Sequence, residues 1–199
     1  MPDAQVADPG AKADLLRYLQ GAREALLWKL DGLSDYDVRR PMTRTGTNLL
    51  GVVKHVASVE AGYLGDCFGR PFPQQFPWFA PDAEPNADFW ATPEESRTDL
   101  VDLYHRVWAH SDATVAALAL DTVGEVSWWP EERRHPTLHR VLVHITTETH
   151  RHAGHADIVR ELIDGAAGLR LEAPLLPTSA DDAWWESYRE RLEQVARDA

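Results

Sequence analysis

Apolar residues recur every three to four positions along most of this chain, the spacing of helices that bury one face. From Ala11 to about Leu33, the residues Leu15, Leu19, Ala22, Leu26 and Leu30 form one stripe, and Gly32 suits a helix C-terminus. Thr47 or Asn48 can cap a second helix running to about Phe68, with Leu49, Val52, Val53, Val56, Val59 and Tyr63 facing inward. Thr92-Pro93-Glu94-Glu95 reads as a third helix start: a cap, a proline in the first turn, then acids near the positive end of the dipole. That helix is expected to run to about Leu120 and to bury Leu100, Leu103, Tyr104, Val107, Trp108, Val115 and Leu118. A fourth follows from the cap Thr137 to Gly165, and a last from Ser179 to about Arg197. In the last helix Trp184, Trp185 and Tyr188 share a side that can clamp onto the bundle or onto a partner chain. No period-two alternation is long enough for a sheet. The expected architecture is an all-α four-helix bundle with an additional C-terminal helix, a single domain over residues 1–199. Residues 1–10 are expected to be disordered and 169–178 irregular.

Two stretches break the simple amphipathic pattern. Between Gly69 and Ala91 lies a long loop with five prolines, together with Phe72, Phe76, Trp78, Phe79, Phe89 and Trp90. A loop of this length is either functional or disordered, and its aromatic content argues for an ordered flap forming one wall of a pocket. Trp78 is one candidate for that wall; Trp128, in the turn Trp128-Trp129-Pro130, is another. The fourth helix carries the second anomaly. With His144 at zero and about 100° per residue, Glu148, His152 and His155 fall within about 80° of it. Val141, Ile145, Val159, Leu162 and Ile163 occupy the same side, so the polar stripe lies on the inward face, while His150 points away.

An unpaired carboxylate removed from water costs several kcal/mol. A Glu with histidines a turn to either side is stable inside a bundle if it binds something positive, and a divalent metal ion is the obvious candidate. The bland alternative is a hydrogen-bonded polar cluster lining a wet cleft. Glu148 and His152, four residues apart, project from one side of the helix, and His55 on the second helix can close a triad across the bundle. By wheel geometry alone His144 or His155 can replace His55. Three N/O ligands with an open position describe a catalytic zinc site rather than a closed structural one. Neither a Cys pair nor an HExxH motif is present, and Glu148 as a ligand is not free to act as a general base. The donor types also admit nickel, iron or manganese.

Charge and composition narrow the partners. The net charge of −12 disfavours nucleic acid and anionic membranes. No segment approaches the roughly 18 apolar residues of a membrane span, and the N-terminus does not resemble a signal peptide, so a cytoplasmic location is expected. The single cysteine, Cys67, has nothing basic beside it and reads as structural. Arg39 and Arg40 can meet an anionic ligand or bond to neighbouring carbonyls, and His105 and His110 are expected on the surface.

The run HITTETHRHAGHADIVRELIDG, from His144 to Gly165, resembles the signature helix of the DinB-like superfamily. It is most similar to the mycothiol transferase branch and to the N-terminal domain of mycothiol-dependent maleylpyruvate isomerase. TNLLGVVKHVASVE, from Thr47 to Glu60, resembles that family's second helix; the Trp128-Trp129-Pro130 turn and the Trp184-Trp185-x-x-Tyr188 ending are also similar. The resemblance implies His55, Glu148 and His152 as ligands of a divalent metal, usually zinc, with His144 and His155 as surrounding or pocket residues; Arg151, on the same helix, can meet an anionic substrate at the pocket or stay solvated. Many members have a histidine at the position of Glu148, and Thr147 stands where close relatives often carry an acid. The implied activity is S-transfer from a low-molecular-weight thiol, mycothiol as co-substrate, to a small electrophile; the resemblance does not identify a catalytic residue. Readings from other classes are a metal-dependent hydrolase and a non-catalytic metal- or ligand-binding stress protein. A homodimer through the outer helices and the tryptophan-rich ending is also expected.

Overall fold

A computed structural model of the chain describes residues 9–170, 173–177 and 180–199. Its helices, among the described residues, are α1 (Pro9–Trp28), α2 (Asp35–Arg39), α3 (Leu49–Leu64), α4 (Arg97–Ala117), α5 (Leu138–Asp164) and α6 (Asp182–Asp198). The fold is all-α. A two-residue-deep antiparallel hairpin, β1 (Gly168–Arg170) with β2 (Ala173–Pro174), interrupts the segment expected to be irregular. Among the described residues an isolated bridge, Val123 to Thr137, precedes α5. The expectations for residues 1–8 and for a cap at Ser179 lie outside the described residues; α1 already includes Pro9 and Gly10, and Asp181 caps α6 through Trp184 N.

Local chemistry sets most helix ends. Asn48 accepts from Gly51 N at 2.8 Å and Thr137 from Arg140 N at 3.3 Å, both as N-caps. Gly165 ends α5 with φ 79°. The α1 stripe continues to Leu30, but Lys29, Leu30 and Asp31 donate to carbonyls three residues back, so α-helix gives way to tight turns after Trp28. Thr92 does not cap α4. Glu95 turns inward to accept from Thr92 N and from Lys54 Nζ, each at 2.8 Å, and Ser96 caps the helix instead, at 3.0 Å from Asp99 N. The short α2 was not expected. Ser34 caps it and Val38 is its buried anchor. Arg39 then donates to the carbonyls of Ala91, Thr92 and Glu95, which accounts for it without a ligand.

Helices α1 and α5 pack together, as do α3 with α4 and α3 with α5. Two apolar clusters result. One gathers Leu26, Leu30, Val53, Leu103, Tyr104 and Val159; the other gathers Leu19, Leu64, Val115, Leu142 and Ile145. Between their contributions on α1, α3 and α4 sits a buried polar layer. Arg23 meets Glu60 in a two-pronged contact at 3.1 and 2.5 Å and reaches Asp112 at 2.9 Å. Arg23 and Glu60 are 1% and 0% exposed.

The inward face of α5 is not uniform. His55 on α3 touches His152, and Tyr63 touches His144, so the two helices run antiparallel. Beyond about Val159, α5 overruns the start of α3, and Leu162, expected inward, is 59% exposed. There α1 continues to pack on it. Arg160 donates to the carbonyls of Lys29 and Asp31 and pairs with Asp164, so it fastens the α1 end rather than facing a substrate. Trp184 stacks on Tyr188 at 5.1 Å, and Trp185 and Tyr188 line a cavity with Trp28 and Ala167, so the aromatic side of α6 faces the α1–α5 end. No helix among the described residues is long and apolar enough to cross a membrane.

Because Glu60 is wholly buried against Arg23, Glu60→Ala is expected to lower unfolding free energy by about 3–5 kcal/mol, leaving the buried guanidinium with only the half-exposed Asp112 as its charged partner. The double replacement Arg23→Met/Glu60→Leu should cost far less. Urea titrations followed by circular dichroism measure both.

Candidate metal centre

The site forms on the seam between α3 and α5. Glu148 and His152 lie one turn apart on α5, and His55 crosses from α3. Their ligand-capable atoms all lie within 4.8 Å of one another. His152 Nε2 is 3.0 Å from Glu148 Oε1, and the His55 and His152 rings are 4.8 Å apart at 61°. The side chains of His55 and His152 are 13% and 6% exposed, and Glu148 is 27% exposed. The cluster is thus half closed, with the carboxylate nearest to solvent.

The flap builds the other side. Asn86 adopts a left-handed φ of 61°, a conformation asparagine tolerates, and starts a single tight turn over Ala87–Phe89. That turn sits on the start of α3. Asn48 Nδ2 donates to Phe89 O at 3.2 Å, and a Cβ on Gly51 would stand 1.8 Å from the same oxygen. Only glycine allows the approach. One turn further along α3, the Phe89 ring stacks on His55 at 3.9 Å and 19°, and Asp88 Oδ2 lies 2.6 Å from His55 Nδ1. Lys54 anchors the next stretch by donating to Trp90 O at 2.9 Å.

The donor set fits a divalent cation. Asp88 occupies His55 Nδ1 and leaves Nε2 as the lone-pair nitrogen, the arrangement by which a carboxylate orients a metal-binding histidine. Burial, reinforced by the nearby His55, pushes the His152 imidazole down to about 4 against the pull of Glu148. The ring is therefore neutral at physiological pH, the form that binds metals. Its Nδ1 is buried without a partner. Ligand atoms around tetrahedral zinc stand roughly 3.3 Å apart, and the triad's donor atoms, all within 4.8 Å of one another, lie near that spacing.

The remaining sequence candidates distribute around this centre. His144 lies one turn before Glu148 and two before His152, its ring 4.8 Å from Tyr63 and 5.2 Å from Trp129, and burial lowers its pKa. His155 is exposed, with its ring edge 5.2 Å from His152. Neither joins the His55, Glu148 and His152 group. Arg151 is an exposed neighbour of Glu148 at 3.5 Å. Trp128 lines a cavity beside Tyr63; Trp78 stands one ring behind it, stacked on Phe76 at 5.2 Å and donating to Ser58 Oγ at 2.9 Å. His110, expected on the surface, is half-buried and meets Arg70 O at 2.7 Å, while His105 is exposed. Burial pushes the Cys67 thiol up to about 12, with Asp66 and Glu125 adding to the effect, so it is inert. Asp88 had no local signal in the sequence, because an aspartate in a polar loop is common and its meeting with His55 spans 33 residues, whereas Phe89 was legible only as one of the flap aromatics.

An antiparallel helical seam with two histidines and a glutamate defines a helical-bundle protein with a candidate metal centre. A family model described as Mycothiol-S-transferase matches residues 14–165. The chain belongs to the mycothiol-S-transferase family. The match ends at the glycine that caps α5, so the Trp184-Trp185-x-x-Tyr188 ending lies outside it. No curated protein matches the chain.

If Asp88 orients His55 toward a cation, Asp88→Asn should weaken zinc affinity by about 10- to 100-fold without loss of helicity. Competition with a chromophoric chelator measures the affinity. Gly51→Ala, which must push the Phe89 carbonyl away, should weaken it as well.

Proposed function

We propose that the protein is a divalent-metal-dependent S-transferase that joins a low-molecular-weight thiol, mycothiol by its family membership, to a small electrophile. The observation that carries the reading is the convergence of His55, Glu148 and His152 on a partly buried seam with one side open. These three residues would hold the ion, zinc being the first choice by donor type and nickel, iron or manganese also admissible. A bound ion there supplies a positive charge that favours the thiolate, the nucleophilic form, over the thiol.

The chain's own residues do the rest. Asp88 fixes the His55 tautomer and ring direction, and Phe89 stacks against the same ring to keep water from it. Glu148, the most exposed of the three, marks the approach side, with Arg151 outside it. The thiol proton leaves to solvent; Glu148, as a ligand, is not assigned as its acceptor, and no residue of the triad is assigned as a general base. The reading places the protein in the cytoplasm, where such thiols are kept reduced, and includes a homodimer to which the exposed apolar residues Leu192 and Val195 of α6 contribute.

Zinc-reconstituted protein is expected to accelerate conjugation of mycothiol to a small electrophile, and removal of the metal by chelation should abolish the acceleration. Glu148→Ala should lose at least about 100-fold in rate with helicity intact. Unchanged turnover in that variant sinks the proposal. Thiol-independent turnover would favour a metal-dependent hydrolase, and ligand binding without turnover a non-catalytic binding protein.

A further inference from the structure

Gly62 in the last turn of α3 has no packing reason to be glycine. An added Cβ would meet only Trp128, at an ordinary 3.9 Å, in contrast to the 1.8 Å approach that requires glycine at position 51. Without a Cβ at this position, α3 leaves space beside Trp128. That space is a cavity of about 320 Å³ walled by Val59, Gly62, Tyr63, Phe76, Phe79 and Trp128. His55, Val59 and Gly62 follow one another along a single face of α3, so the cavity begins one turn from the candidate metal ligand.

The polar groups of this cavity are few and nearly all satisfied. Ser58 Oγ donates to Lys54 O at 2.7 Å and accepts from Trp78 at 2.9 Å. Asp66 stands at the exposed rim, and among the described residues no Lys or Arg lines the space. Tyr63 differs. Its hydroxyl accepts from Trp128 Nε1 at 3.1 Å and from Trp129 Nε1 at 2.8 Å. Indole nitrogens only donate, so both acceptor positions of the hydroxyl are filled and its own hydrogen is left to give. Side chains on a helix lean toward its N-terminus, so Tyr63 reaches back along part of the about 12 Å of axis that separates it from His55.

We propose that this cavity takes an uncharged, aryl-substituted α,β-unsaturated ketone, with Tyr63 donating a hydrogen bond to the carbonyl oxygen. The proposal rests on the transferase reading for its thiol. The aromatic walls suit the aryl group, the absence of a cation beside Asp66 disfavours a carboxylate on the substrate, and the two indoles orient the phenol. In the reaction the thiolate sulfur bonds to the β-carbon and the C=C π bond breaks. Its electron pair forms the double bond between the α-carbon and the carbonyl carbon as the C=O π pair moves to oxygen, where the Tyr63 O–H holds the enolate. Water then protonates the α-carbon, and the hydroxide formed is neutralised by the proton the thiol released. The sum is thiol plus enone giving a thioether ketone, with no oxidant or reductant.

Binding is measured by quenching of tryptophan fluorescence in the full chain, with and without zinc. The probes are the unreactive saturated ketone 4-phenylbutan-2-one, its para-carboxylate, and ethylbenzene. The ketone should quench saturably with or without metal, and the carboxylate should bind at least tenfold more weakly. Tyr63→Phe should weaken the ketone about tenfold while leaving ethylbenzene unchanged. Gly62→Leu, which fills the cavity and removes a helix glycine, should abolish binding of all three while the protein stays folded. Equal binding of ketone and carboxylate, or full ketone affinity in either variant, overturns the proposal. Ketone binding with this selectivity but without zinc-dependent conjugation of mycothiol to the corresponding enone would overturn the transferase reading alone. Conjugation without the selectivity would overturn this assignment alone.

Discussion

A carboxylate and two imidazoles held on a half-closed helix–helix seam constrain everything around them. His152 is almost wholly buried, neutral, and leaves one nitrogen unmatched. Its other nitrogen is pressed against Glu148. Such a group is costly to bury unless something positive repays the lost hydration. The antiparallel pairing of α3 and α5 sets the separation of the three donors, and the cores on either side fix that pairing. Each core is apolar, but they are joined by the Arg23, Glu60 and Asp112 layer, which ties α1, α3 and α4 into one register.

The flap is as much a part of the centre as the helices. Its tight turn at Ala87–Phe89 rests on the α3 N-terminus through Asn48 and the bare backbone at Gly51. The same turn delivers Asp88 to the edge of the His55 ring and Phe89 to its face. A single residue, Asn48, both caps the helix that carries the ligand and grips the loop that orients it. Folding of the flap and formation of the site are therefore coupled. Farther along the seam the same loop contributes Phe76 and Phe79 to the cavity beside Tyr63, so metal ligation and substrate accommodation share one structural support.

What could be read from the chain alone follows the range of the interactions. Caps at Asn48 and Thr137, the glycine end of α5 and the Glu148/His152 pair are all settled within a turn or two, and they were legible. His55 was legible through its place in an apolar stripe and through resemblance, not through anything that linked it to α5 locally. The α4 start was misplaced because Glu95, read as a first-turn acid, is drawn away by Lys54, 41 residues earlier. Leu162 was misplaced because a helical wheel does not register where a neighbouring helix stops. Asp88 and Gly51 carried no signal, since each acquires its meaning from a contact across a long loop.

The central claim is that His55, Glu148 and His152 hold a divalent ion. Metal content of the purified protein by elemental analysis, beside His55→Ala, Glu148→Ala and His152→Ala, tests it most directly. The account predicts near-stoichiometric metal in the wild type and its loss in all three variants, each remaining helical. A wild type that holds no metal after reconstitution with zinc, nickel, iron and manganese, or variants that retain it fully, would contradict the account and leave a helical bundle with a polar cleft.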